Sequence, residues 1–70
     1  MITVYFKPNW KAWKLLNNTG EEIGKRIGYE DLRDAIEDGV REAAERDTGI
    51  YLPPDVCNQA TRLSFVPPLG

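Results

Sequence analysis

Seventy residues make one domain near the lower size limit for folding without staples, able to bury only about 60% of its unfolded surface. A single cysteine, Cys57, and no histidine exclude an internal disulfide and any ordinary structural zinc site. The net charge of −2 is unevenly spread: Lys7, Lys11, Lys14, Lys25 and Arg26 against Glu21 and Glu22 leave residues 1–29 at +3, whereas residues 30–47 sum to −5.

Ile2, Val4 and Phe6 alternate with Thr3, Tyr5 and Lys7, and this period of two predicts a first strand over 2–7. Pro8-Asn9 ends it. Alternation resumes over 12–16, with Trp13 and Leu15 on one face and Ala12 and Leu16 on the other, so an N-terminal hairpin is expected. "NNTG" is a turn cluster, in which Gly20 supplies the positive φ that a hairpin needs.

Residues 19–36, "TGEEIGKRIGYEDLRDAI", divide in two ways. In one, Ile23, Ile27 and Tyr29 share a face and form a third strand over 22–29. In the other, Thr19 and Glu22 form a capping box, and Gly24, Ile27 and Gly28 mark a helix, a turn and a second helix. Those three positions resemble the helix-turn-helix of bacterial repressors. That family's next core position holds Asp34 here, and the second helix, "EDLRDAIED", carries the charge that phosphates repel. Two glycines inside so short a first helix would cost roughly 1 kcal/mol each. The strand reading is therefore preferred.

Leu32, Ile36, Val40 and Ala43 recur at helical spacing, which predicts one amphipathic helix over about 30–47, with Gly49 as its stop and Gly39 inside it. "GIYL" reads as a strand closed by Pro53-Pro54, and "TRLSFV" as a last strand closed by Pro67-Pro68. The expectation is a single α+β domain over 1–70: an antiparallel sheet of three to five short strands with one helix across a face. Its core would comprise Ile2, Val4, Phe6, Trp13, Ile23, Ile27, Leu32, Ile36, Val40 and Tyr51.

Chemistry is sparse. Without histidine there is no ordinary neutral-pH base and no Ser–His or Cys–His pair. The carboxylates are strung along one helix instead of being gathered in a pocket, and no phosphate or calcium loop occurs. Cys57 is expected to be a partly buried thiol without a role. No catalytic residue, cofactor or metal is expected. There is no apolar run of membrane-spanning length, and "MITVYFK" lacks the marks of a secretory signal, so a cytoplasmic location is expected.

Binding remains. At about 100° per residue, Asp31, Asp34, Asp38, Glu42 and Glu45 fall within an arc of roughly 80° that contains no Lys or Arg. Asp34–Asp38 and Asp38–Glu42 are like-charge pairs that cost about 0.2–0.5 kcal/mol each. The arc fits either a solvated face that keeps a small protein soluble or a docking stripe for a basic surface, where carboxylates stand in for phosphates. In "YFKPNWKAWK", aromatic rings interleave with lysines, as in single-strand binders, and Trp10 in its turn suits an interface anchor.

"IYLPPD" with "RLSFV" resembles the wing of winged-helix excisionases, although their basic recognition helix has no counterpart here. "YEDLRDAIEDGVREAAERDTGIYLPPD" is similar in outline to the sheet-covering helix and following segment of HicB-type antitoxins, without their "PDLPG" turn. In size, element order and acidic stripe, the chain resembles the small acidic proteins with which phages and mobile elements block host machinery, including anti-CRISPR proteins and RNA polymerase inhibitors. That resemblance implies a non-catalytic, protein-binding inhibitor or regulator whose partner is a host protein with a basic surface, with Asp31, Asp34, Asp38, Glu42, Glu45 and Trp10 at the contact. The rival reading is a nucleic-acid binder that uses Lys11, Lys14 and the tryptophans. A third is an assembly subunit or homodimer.

Overall fold

A computed structural model of the protein describes residues 1–62. The element order is β1 (Ile2–Lys7), β2 (Ala12–Leu16), β3 (Glu22–Ile23), α1 (Leu32–Glu45), β4 (Ile50–Tyr51) and α2 (Pro54–Arg62). The strands form one sheet in the order β3-β2-β1-β4. β1 and β2 are an antiparallel hairpin that sets Val4 opposite Leu15 and Phe6 opposite Trp13. β3 pairs antiparallel with β2, but β4 joins β1 in parallel, with Ile2 opposite Ile50. The α+β class stands. The sheet is mixed, not wholly antiparallel, and the described residues form two helices where one was expected.

Ile2, Val4, Trp13, Leu15 and Ile50 from the sheet are buried together with Leu32, Ala35, Ile36 and Ala43 of α1 and Val56 and Ala60 of α2. Both helices therefore cover one face. α1 is unbroken through Gly39, whose bare backbone lies against the sheet: a Cβ there would stand 2.9 Å from Ile50 Cδ1 and 3.3 Å from Leu15 Cδ2. The helix stops before Gly49, because Asp47 takes a left-handed φ of 54°. The Thr48 and Asp47 N–H groups then donate to the Ala43 and Ala44 carbonyls at 2.9 and 3.3 Å, the pattern of a Schellman cap.

α2 was not expected. Pro54 is its first residue, where a missing N–H costs nothing, and Cys57 N–H donates to the Pro53 carbonyl at 2.8 Å. The prolines read as the end of a strand also begin a helix, which buries Val56 and Ala60 one turn apart. Thr61 and Arg62 belong to this helix, so the expected last strand does not start there; its remainder, 63–66, lies outside the described residues.

Of the two divisions of residues 19–36, the strand is found, but only in part. β3 holds two residues, after which the chain leaves the sheet and returns for one bridge, Trp13 to Tyr29. Gly24 (φ 80°) and Gly28 (φ 87°) make the detour possible, and Gly28 N–H closes its turn on the Lys25 carbonyl at 3.0 Å. Ile27 sits at the tip of that turn, 71% exposed, and is not core as expected. No helix precedes α1, so the helix-turn-helix division is excluded. Two other core assignments move. Phe6 is 43% exposed, at the margin, edge-on to Trp13 with ring centroids 5.1 Å apart. Tyr51 faces outward, because its neighbour Ile50 takes the buried side.

Candidate docking surface

The sheet face without helices carries Thr3, Tyr5, Lys7, Lys14, Leu16 and Glu22, as strand alternation requires. Lys14 is buried there, only 2% exposed, and has no freedom: its ammonium donates to the Arg26 carbonyl at 2.7 Å and lies 3.4 Å from Glu22 Oε1. Lys7 donates to Glu22 Oε2 at 2.7 Å and the Tyr5 hydroxyl donates to the same oxygen at 2.9 Å. Those bonds, Lys7's first, hold the Glu22 carboxyl down at about 2, against an ordinary 4.5. Burial, and then the bond to Glu22, raises the Tyr5 phenol. The Trp10 ring stands over this group, its centroid 5.2 Å from Lys7 Nζ and 4.8 Å from Lys14 Nζ. Two of the lysines that sequence offered to a phosphate backbone are thus engaged within the fold.

The five carboxylates of the acidic arc are not equivalent. Asp31, Asp34 and Glu45 are exposed, whereas Glu42, at the arc's border with the core stripe, and Asp38, in the middle of the arc, are half-buried. Asp38 accepts from the Tyr29 hydroxyl and pairs with Arg41, one turn on. Tyr29 is itself buried, and its hydroxyl also accepts the Lys25 N–H at 3.0 Å. Asp38 therefore ties α1 to the detour at 24–29. Glu42 pairs with Arg46 at 3.3 Å. Among the described residues, Asp31, Asp34, Glu37 and Glu45 take part in no ion pair. Asp31 is the helix N-cap residue, but its side chain makes no capping bond. Glu37, just outside the arc, joins Asp34, Asp38, Lys25, Tyr29 and Arg41 around an open hollow of about 340 Å³.

A second hollow, of about 280 Å³, lies alongside and shares Lys25 and Asp34 with the first. Three segments line it: the β1–β2 turn with Trp10 and Lys11, the detour with Lys25 and Ile27, and the start of α1 with Glu30 and Asp34. Trp10 is 51% exposed, so it and Ile27 present two large apolar side chains to one depression. Sequence reasoning singled out Trp10 and Asp34 separately and did not bring them together. Ile27 was missed because its spacing from Ile23 and Tyr29 imitates a strand; the two flanking glycines were the available signal.

Among the described residues, no group of three or more His, Cys, Asp or Glu is placed to hold a metal, and no helix is long and apolar enough to cross a membrane. Cys57, expected to be partly buried, is exposed on α2. Fold and surface together define a small α+β domain with a covered sheet face, an open face whose two lysines share one glutamate, and an acidic first helix. No family model, curated protein or solved structure matches the chain.

Proposed function

We propose that the protein acts without catalysis, by binding another protein through the outward carboxylates of α1, as an inhibitor or regulator of the kind phages and mobile elements direct at host machinery. The observation that carries this reading is the division of labour among charges. Lys7 and Lys14 are engaged with Glu22, while Asp31, Asp34, Glu37 and Glu45 stand exposed without an ion-pair partner among the described residues. An uncompensated acidic helix face speeds and orients encounter with a basic surface, including a nucleic-acid groove. The nucleic-acid reading loses Lys14, which is buried and held, and keeps only the exposed Lys11, Lys25 and Arg26 in this half of the chain.

The test is capture from nuclease-treated host lysate with the wild type beside an Asp34→Lys/Glu45→Lys variant. Both positions are exposed and make no ion pair among the described residues. A basic protein retained by the wild type, lost by the variant and released by moderate salt supports the proposal. Equal retention by both forms removes the helix face from consideration.

A further inference from the structure

We infer that the hollow between Trp10, Ile27 and the start of α1 is a self-association surface, on which a second copy of this chain docks about a two-fold axis. The inference goes beyond the proposed hetero-partner and rests on different residues, Asp34 excepted. The lining combines the apolar Trp10 and Ile27 with both signs of charge in equal number: Lys11 and Lys25 against Glu30 and Asp34. A basic partner would meet two cations here as well as two carboxylates. A second copy meets complementarity, because a two-fold axis sets residue i against j and j against i. The cation of the β1–β2 turn in one copy then faces the carboxylates at the start of α1 in the other, twice over. Ile27 and Trp10 of each copy fill the shared centre.

The geometry supplies what such a contact needs. Ile27 is held outward by a turn between two positive-φ glycines, and Gly28 leaves no room behind that turn: a Cβ there would lie 2.8 Å from Ala12 Cβ and 2.9 Å from the Trp13 carbonyl oxygen. The turn's other support is the bond from Lys14 to the Arg26 carbonyl. Trp10 is kept beside it by the ammonium groups of Lys7 and Lys14. Two exposed large apolar groups are thus presented on fixed backbone, and little conformational freedom remains to be lost on docking.

Sedimentation velocity between about 10 µM and 1 mM covers the range in which a small interface is weak but measurable. The wild type is expected to associate with rising concentration. Lys11→Glu alone and Asp34→Lys alone each place like charges at both symmetric contacts and should weaken association about tenfold or more. Mixed in equal amounts, the two variants offer each other opposite charges at both contacts, and association should return. Ile27→Gln, at a side chain exposed in the monomer, should weaken association while circular dichroism stays unchanged. A wild type that remains monomeric throughout overturns the inference. So does a mixture no more associated than its components, or an equal loss in Glu45→Lys, which lies outside the hollow. Failure of the lysate capture leaves these outcomes untouched, so the two readings fail separately.

Discussion

Gly20 and Gly28 offer a matched pair for measuring what the detour at 24–29 contributes to the fold. Both have a strongly positive φ, 85° and 87°. An alanine at either position incurs the left-handed penalty of about 1–2 kcal/mol, offset by about 0.4–1 kcal/mol from a less flexible unfolded chain. Their surroundings differ. A Cβ on Gly20 meets nothing within 4 Å, whereas one on Gly28 meets Ala12 Cβ at 2.8 Å, the Trp13 carbonyl oxygen at 2.9 Å and Lys14 Cδ at 3.0 Å. The carbonyl cannot retreat cheaply, since it accepts the Tyr29 N–H at 2.8 Å. Overpacking of this kind adds about 1–3 kcal/mol. Gly20→Ala should therefore cost about 0.5–1 kcal/mol and Gly28→Ala about 2–4 kcal/mol. A domain of this size has only about 3–5 kcal/mol to lose, so the second variant should be largely unfolded at 37 °C. Urea titration followed by tryptophan fluorescence reads both, because Trp13 is buried in the native state. Equal losses at the two glycines would mean that the 24–29 segment does not lie on β2 as described.

Glu22 should make part of the acid sensitivity. Its folded value near 2 lies below the ordinary 4.5, so its stabilisation is complete above about pH 4.5 and lost as pH falls through about 2. Glu22→Gln should be less stable than wild type at pH 7, with the gap closing between pH 4.5 and 2; a gap constant with pH refutes this. Asp38→Lys, which leaves the buried Tyr29 without its acceptor, should cost about 1.5–3 kcal/mol, whereas Asp34→Lys should stay within about 0.5 kcal/mol of wild type in the same titration. Asp47→Gly relieves a left-handed residue at the Schellman cap and should raise stability by roughly 0.5–1 kcal/mol, read as a higher urea midpoint at unchanged slope.

The parts of the fold legible in the sequence are those where one periodicity acts alone. The hairpin follows from strict alternation on both sides of Pro8-Asn9, and α1 from the apolar spacing of Leu32, Ile36 and Ala43. The parts that were not legible are those where the same residues serve two ends. Pro53-Pro54 stops a strand and starts a helix, and Val56 with Ala60 is too brief a pattern to declare that helix unaided. Ile27 has strand spacing but lies on a turn, because Gly24 and Gly28 divert the chain between two points of contact with β2. Tyr51 and Ile50 differ by one position, and only the register with β1 decides which is buried. For the candidate surface, the acidic arc was legible as composition. The half-burial of Asp38 and Glu42 was not, since Asp38 sits mid-arc and meets Tyr29 of the detour, a contact that helical spacing does not show.

The charge asymmetry along the chain takes on a different meaning once folded. Residues 1–29 carry a net +3 in sequence, which suggests a basic half-surface. Folding brings Glu22 beneath Lys7 and beside Lys14, and sinks Lys14 among Trp10, Glu22 and the Arg26 carbonyl. The positive half is thereby spent on holding an open sheet face and its adjoining detour, a task that a larger protein would give to a second layer of apolar side chains. The acidic half has no equivalent use: of its exposed carboxylates, those on the outer side of α1 hold nothing within the described residues. A marginal domain would gain from Lys or Arg at Glu45, in a last turn of α1 that holds no basic residue, and Asp34 and Glu45 repel Asp38 and Glu42 at a cost of some tenths of a kcal/mol each. That such repulsion persists at exposed positions of α1 that hold nothing among the described residues is the physical reason for seeking the protein's partner there.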